Sequence, residues 1–165
     1  MYAATIPPLT RSLTALGAIL AKADAHCATH KIDPAALTTF RLFPDMLPFT
    51  KQVQLACDFA CRTPARLTGS DVPSHPDTET ETTLEELKLR VATALAYVGT
   101  FTEASFAGAD SREITLKMRH GDLQFTGQVF LSEFALPNFY FHATTAYNIL
   151  RHNGVVLGKA DFMGA

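Results

Sequence analysis

The stretch "LPNFYFHATTAYNILRHNG", residues Leu136 to Gly154, indicates which kind of fold this chain adopts. Asn138, His142 and Thr145 are four and three residues apart, which places their side chains on one face of a helix. Aromatic residues cover the remaining sides, and a helix that is apolar nearly all round is a buried helix. We therefore predict a last helix inside a helical bundle, with His142 turned inward and held by a hydrogen-bond or metal partner.

Apolar residues at intervals of three and four predict three further helices before this one. Proline is tolerated best in a first helical turn, so Pro7 and Pro8 predict that the first helix starts after them. By the same argument, Pro64 predicts a bend or an end in the second helix. The predicted helices run from Leu9 to about His30, from between Asp45 and Pro48 towards Ala60, and from Leu84 to Val98.

The segments between and after these helices predict smaller elements. Asp33 and Pro34 can cap and start one short helical turn. Residues 112–126 alternate apolar and polar positions around a glycine turn, which is typical of a two-stranded ribbon. From Gly127 the chain is helical again, broken by Pro137, and residues 155–165 are expected to form a docking strand or an irregular strap. The fold prediction is a mainly α protein, a four-helix bundle with a small β-hairpin before the last helix.

Composition sets the broad class of protein. The 165 residues are 47% hydrophobic and 18% charged, which favours a single globular domain over residues 1–165. A net charge of −2 without a basic run argues against nucleic acid as a partner. The apolar run Leu13 to Ala21 is too short to span a bilayer, so no membrane partner is expected. An odd count of three cysteines favours a reducing cytoplasm.

Two segments carry a resemblance to a known family. "LPNFYFHATTAYNILRHNGV" and "RLFPDMLPFTKQVQLACDFA", with "FTG" before the last helix, resemble a bacterial family of unknown function. That family resembles a distant branch of the DinB/YfiT-like four-helix bundles, a superfamily described as metalloenzymes. The likeness to the closer family covers essentially the whole chain. It implies a four-helix bundle and raises the question of a divalent metal ion.

The resemblance also implies where such a metal would lie. In the wider superfamily, one His of the second helix and an H-x-x-x-H pair on the last helix hold the ion. His142 stands where the second His of the pair belongs, but Asn138 replaces the first. In the second helix Gln54, or less favourably Gln52, takes the place of the remaining His. Amide oxygens are weak ligands for transition metals, so His142 is the one candidate metal ligand that the chain keeps.

The replacement of two metal-binding histidines by amide side chains predicts a buried polar pocket. Its expected members are Gln54, Asn138, His142 and Thr145. These groups could hydrogen-bond to one another and fix the core, or hold water or a small polar ligand. Arg41 and Asp45 could close the pocket with an ion pair, although Asp45 also suits a helix cap.

Other candidate sites have simpler interpretations. His26 and His30 are spaced like metal ligands, but they lie in a last helical turn where cations are favoured. Cys57 and Cys61 lack the second pair that a structural zinc site needs, and they are interpreted as small core residues. An acidic cluster is interpreted as a solvated helix start; it consists of Glu79, Glu81, Glu85 and Glu86.

Three functions fit these observations. The first is a bundle without catalytic function whose buried pocket binds a small polar ligand or only sets the core. The second, an alternative, is a metal-dependent group-transfer enzyme resembling the thiol transferases or hydrolases of the wider superfamily, with Asp45 or Asp58 as an added ligand. The third is an interaction protein that forms a homodimer, which the 12 Phe and 4 Tyr allow. No cofactor other than a divalent metal ion is expected.

Overall fold

Four long helices form the structure in the predicted order. The computed structural model describes residues 1–73, 80–118 and 120–164. The long helices are α1 (Tyr2–His30), α3 (Phe49–Thr68), α4 (Leu84–Val98) and α6 (Leu136–His152). The shorter elements are α2 (Ala35–Thr38), a 3-10 turn (Glu103–Phe106), β1 (Glu113–Leu116), β2 (Leu123–Thr126), α5 (Gly127–Val129), a π-helical turn (Phe130–Ala135) and α7 (Lys159–Met163). The predicted mainly α, four-helix bundle with a small hairpin is confirmed.

The helices pack around one continuous apolar core. α3 lies between α4 and α6, and α1 packs against α4 and α6 on the other side of the bundle. The largest fully buried side chains are Phe49, Phe130 and Phe139. Burying each of them contributes roughly 1.5–3 kcal/mol relative to exposure. No helix among the described residues is both long enough and apolar enough to cross a membrane.

The hairpin lies where the alternating pattern predicts it. β1 and β2 are antiparallel, with Ile114 opposite Phe125 and Leu116 opposite Leu123. Ile114 and Leu116 are buried, because alternate side chains of β1 face the bundle. A pair of short strands is marginal in water, so this packing is what holds the hairpin.

The predicted start of the first helix after Pro8 is wrong, and Pro64 does not end the second helix. Pro7 and Pro8 lie inside α1, which begins at Tyr2, and Pro64 lies inside α3, which continues to Thr68. Packing offsets the missing backbone hydrogen bonds, because residues on both sides of these prolines, Ile6 and Leu67 among them, are buried. α3 ends instead at Gly69, whose φ of 73° is the left-handed conformation that glycine adopts without strain.

The end of the chain also differs from the prediction. Gly154, just after α6, has a left-handed conformation with a φ of 87°. Residues beyond it then form the short helix α7, where an irregular strap or strand was expected. Phe162 of α7 packs edge-on against Tyr147, and Asp161 pairs with Lys22 of α1. These two contacts favour a helical turn, because it presents both side chains to the bundle.

A capping box starts α4. The Thr83 hydroxyl accepts a hydrogen bond from the Glu86 backbone N–H at 3.2 Å, and the Glu86 carboxylate accepts one from the Thr83 N–H at 2.9 Å. Glu85 and Glu86 are exposed, as expected of a solvated helix start. Glu81 is only partly exposed and bonds to other side chains, so that interpretation is wrong for it. Glu79 lies outside the described residues.

Replacing Thr83 with alanine is expected to lower the free energy of unfolding by about 1 kcal/mol, because the Glu86 N–H loses its partner. Urea denaturation measures the change. Thr93→Ala is the control: Thr93 is exposed in the middle of α4 and its hydroxyl donates only to the carbonyl one turn back. A loss for Thr93→Ala as large as that for Thr83→Ala would contradict the capping role.

Candidate functional site

His142 is buried against α3 and bonds to a glutamine there. Its Nδ1 lies 2.8 Å from the Oε1 of Gln52, and 9% of the residue is exposed. The Gln52 amide nitrogen donates to the Leu47 carbonyl at 3.1 Å. The ring of Phe59 stacks on the imidazole with a centroid distance of 5.8 Å. The predicted burial of His142 and its need for a partner therefore both hold in the structure.

The other predicted pocket residues do not meet His142. Gln54 faces α4, where its amide nitrogen donates to Glu81 at 2.8 Å. Asn138 donates to the Phe134 carbonyl at 2.7 Å, and the Thr145 hydroxyl donates to a carbonyl of its own helix. Residues two apart point about 200° from each other around a helix, so only one of Gln52 and Gln54 can face α6. The structure selects Gln52, the less favoured choice, and the grouping of Gln54, Asn138 and His142 is wrong.

Arg41 and Asp45 do not close a pocket. Both are exposed, and the Arg41 guanidinium donates to the Met46 carbonyl in the same loop. Among the described residues no ion pair joins Arg41 to Asp45, and no side chain caps α3, whose first flanking residue is Pro48. The two predicted roles of Asp45 are therefore wrong, because α3 begins later than expected.

The metal ion that the resemblance implies does not fit this arrangement. Zinc sites use at least three protein ligands of the His, Cys, Asp or Glu type. Within the described part of the chain, no three such side chains come together. His142 faces the amide of Gln52, and Asn138 is bonded to a backbone carbonyl.

Sequence reasoning missed a polar network between α3 and α4. The Arg90 guanidinium lies 2.6 Å from an Asp58 carboxylate oxygen and 2.8 Å from a Glu81 oxygen. Only 10% of the Arg90 and Asp58 side chains is exposed. Burial alone would raise the pKa of Glu81. Hydrogen bonds from Arg90 and Gln54 outweigh this effect, so the pKa of Glu81 lies below its usual value. The sequence signal for this network was Asp58, which follows Gln54 by one helical turn and is flanked by the apolar residues Cys57 and Phe59.

A second missed feature is a pocket between α3 and the hairpin. Its volume is about 420 Å³. On the α3 side it is lined by Leu55, Asp58, Phe59, Arg62 and Arg66, and on the other side by residues 115–118 and Phe134. The pocket side of α3 therefore combines an apolar part near Phe59 with two arginines one turn apart.

These two arginines face a single carboxylate among the described residues that line the pocket, that of Asp58. Asp58 lies 4.0 Å from Arg62, but it is already engaged at 2.6 Å by Arg90. The Nε of Arg62 is buried without a hydrogen-bond partner among the described residues. The Arg66 guanidinium makes no hydrogen bond or ion pair within the described ranges. Burial, then the charge of Arg62, lower its pKa. The pocket therefore has an excess of positive charge.

The remaining candidates give no site. Cys57 and Cys61 are buried, and burial raises the pKa of Cys61 to about 11, so its reactive thiolate form is scarce near neutral pH. His26 and His30 stack with a centroid distance of 4.3 Å, and His30 Nδ1 lies 3.0 Å from the His26 carbonyl oxygen. That carbonyl only accepts hydrogen bonds, so this nitrogen is not free to bind a metal.

Acidification below about pH 6.5 is expected to destabilise the protein through His142. Burial lowers the pKa of His142 in the folded state, so the unfolded chain binds the proton more readily. The resulting loss of folding stability is absent well above pH 6.5 and grows as the pH falls towards the folded-state pKa. Urea denaturation at pH 7.5 and 5.5 measures it. His142→Gln should show a smaller loss between the two pH values than the wild type; an equal loss would contradict the assignment.

Comparisons with known proteins agree with this architecture. A family model described as "Domain of unknown function (DUF1993)" matches residues 1–163. The crystal structure of a DinB family member protein from Shewanella denitrificans is similar, with a TM-score of 0.92 and 44% sequence identity. The match covers 99% of this chain and 92% of that chain, and it confirms the resemblance to DinB-like bundles. No curated protein matches the chain. The chain therefore belongs to the family of the domain of unknown function DUF1993.

Proposed function

We propose that this protein is a binding module for a small organic anion, which it takes up in the pocket between α3 and the hairpin. The observation that carries the proposal is the pair Arg62 and Arg66, which line the pocket with only one carboxylate among the described lining residues, that of Asp58, which Arg90 already binds. Placing like charges together under partial burial costs stability. A negatively charged ligand would relieve that cost on binding.

The type of cation indicates the type of anion. An arginine presents several N–H donors in a rigid fork that matches a carboxylate or a phosphate with two parallel hydrogen bonds. Arg62 and Arg66 are four residues apart on α3 and so lie on the same face of the helix. Lys117 of the opposite wall adds a third positive charge. We therefore expect a ligand with a carboxylate or phosphate group directed at α3.

The apolar walls indicate the rest of the ligand. Phe59, Phe134, Leu55 and Met118 line the pocket beside the arginines. A volume of about 420 Å³ lies within the range of roughly 300–1,000 Å³ that small-molecule sites occupy. A ligand with an aromatic or aliphatic body and one anionic end would fill both parts. This proposal replaces the predicted pocket around Gln54, Asn138 and His142.

The test is a ligand screen in matched pairs, such as benzoate against benzamide and phenyl phosphate against phenol, read by thermal shift and confirmed by calorimetry. Arg66→Met is expected to weaken binding of the anion at least about tenfold, because a charge-assisted hydrogen bond contributes roughly 1.5–3 kcal/mol. Arg151→Met, an exposed change on α6, is the control and should bind normally. The proposal fails if neutral and anionic members of a pair bind equally well.

A stability measurement separates this role from a structural one. Without ligand, Arg66→Met should leave the free energy of unfolding unchanged or raise it, since the variant removes a crowded positive charge. A structural arginine would behave in the opposite way. A clear loss of stability in Arg66→Met would therefore contradict the proposed role even if binding were also lost.

Three earlier hypotheses stay predictions. The metal-dependent group-transfer enzyme is tested by elemental analysis of protein purified without a metal-affinity tag. The homodimer is tested by light scattering at micromolar concentration, where a mass of 18.0 kDa would contradict it. We also propose a cytoplasmic location, which the three free cysteines support. Fractionation of the source cells tests it.

A further inference from the structure

The Gln52 side chain is fixed in orientation by its two partners. One end lies 3.1 Å from the Leu47 carbonyl, which can only accept a hydrogen bond, so this end is the amide nitrogen. The other end, the oxygen Oε1, therefore faces His142 Nδ1 at 2.8 Å. An amide oxygen can only accept, so the hydrogen between them belongs to Nδ1. The hydrogen-bond pattern thus assigns the Nδ1–H form of the imidazole.

The second ring nitrogen of His142 is left available. With its hydrogen on Nδ1, the neutral imidazole carries a lone pair on Nε2. No described group bonds to Nε2, and this atom is not among the fully buried polar atoms that lack a partner. The exposed fraction of His142, 9% of the residue, therefore includes Nε2. Water or a ligand can reach it.

The imidazole is held rigidly in apolar surroundings. Phe59 stacks on one face at an interplanar angle of 21°, and Phe141 approaches at 83°, edge to face. Phe141 is 56% exposed, so its contact with the ring places exposed apolar surface next to the imidazole. A hydrogen-bond acceptor with an apolar rim suits a neutral ligand that has one donor group.

We infer that Gln52 fixes His142 as an Nδ1-protonated imidazole whose Nε2 accepts a hydrogen bond from a hydroxyl or amide N–H of a neutral ligand. Zinc needs at least three protein ligands, and the described residues bring no three suitable side chains together around His142. The hydrogen-bond acceptor Nε2 therefore takes the place of the metal centre of the wider superfamily. The site is separate from the arginine pocket. Neither His142 nor Gln52 lines that pocket, although Phe59 contributes to both.

Long-range proton–nitrogen NMR spectra of the histidine rings test the assignment directly. The wild type should show a protonated Nδ1 and an unprotonated Nε2 for His142. Gln52→Glu should keep Nδ1 protonated, because a carboxylate also accepts from Nδ1–H, whereas Gln52→Leu should lose the preference for Nδ1. Asn138→Ala, which removes a side chain bonded only to a backbone carbonyl, is the control and should change nothing. A wild-type ring protonated on Nε2 overturns the inference.

Two probes test what Nε2 binds. Phenol at millimolar concentration should shift the Nε2 resonance, whereas anisole, of similar shape but without a donor, should not. His142→Leu should weaken phenol binding about tenfold, the loss expected for one hydrogen bond. Equal responses to the two probes, or none to either, contradict the hydrogen-bond acceptor. Zinc titration supplies the opposite test: saturable one-to-one binding at micromolar zinc that disappears in His142→Ala would overturn the replacement of the metal.

Discussion

Replacing Arg90 with methionine is expected to lower the free energy of unfolding by about 3–5 kcal/mol. Methionine keeps most of the apolar stem of the side chain but removes the guanidinium that bridges Asp58 and Glu81. The Asp58 carboxylate, of which 10% is exposed, then loses its 2.6 Å contact with a positive charge. Removing one partner of a buried ion pair costs more than the intact pair contributes, and Arg62, 4.0 Å from the other Asp58 oxygen, remains only a weaker partner.

Chemical denaturation of wild type and variant measures this loss. The control is Lys88→Met on the same helix, which removes a pair with the exposed Glu85 and one with Asp24. Exposed pairs contribute about 0–1 kcal/mol, so the control should remain close to the wild type. Similar losses in Arg90→Met and Lys88→Met would show that burial does not set the strength of the Arg90 network.

The pH dependence of Arg90→Met should follow from the same network. In the wild type, hydrogen bonds from Arg90 and Gln54 hold the pKa of Glu81 below its usual value. The stability that the ionised Glu81 contributes is therefore present above the unfolded-state pKa of glutamate, about 4.3, and is lost as the pH falls through the folded-state pKa of Glu81. The difference between wild type and variant should accordingly shrink below about pH 4. A difference that does not change with pH would contradict this explanation.

Replacing Gly127 with alanine is expected to destabilise the protein by about 3 kcal/mol or more. A Cβ at this position would lie 1.8 Å from the backbone oxygen of Ala109 and 3.2 Å from a Leu67 methyl group. A backbone atom cannot rotate away as a side chain can. The segment before β1 and the start of α5 would have to separate, and the hydrogen bond from Gln128 N–H to the Asp110 carbonyl would be strained.

Thermal denaturation followed by circular dichroism measures the effect of Gly127→Ala. Gly17→Ala provides a control of opposite sign, since Gly17 lies within α1 and its added Cβ would meet Val91 at 3.6 Å, an ordinary contact. Alanine is favoured over glycine in a helix by about 1 kcal/mol, so this variant should be stabilised. If Gly127→Ala were as stable as the wild type, the backbone around Gly127 and Ala109 would have to move apart at no cost, which would contradict the prediction.

The sequence predicted the helices well because each buried stripe repeats over many residues. It failed where tertiary packing decides the outcome. α3 is buried on nearly every side, so its apolar pattern does not say which residue faces α6, and Gln54 was chosen over Gln52. The internal prolines were also misjudged, since the burial of neighbours such as Ile6 offsets the lost hydrogen bonds only in the folded protein.

The candidate pocket was missed for a related reason. Arg62 and Arg66 are visible in the sequence as two positive charges one turn apart near the end of α3, a pattern that solvent exposure explains equally well. Only the hairpin, about 50 residues further along the chain, covers them and turns a charged face into a pocket. Local periodicity carries no information about such a partner.

The docking of α7 on α1 has a consequence for the order in which the protein assembles on the ribosome. Lys22 pairs with Asp161, 139 residues later, and α1 otherwise packs largely on α4. At a synthesis rate of about 5–20 residues per second, the first helix waits roughly 7–28 s before its last partner is made. During that interval the part of α1 that α7 later covers needs protection by other parts of the nascent chain or by a chaperone.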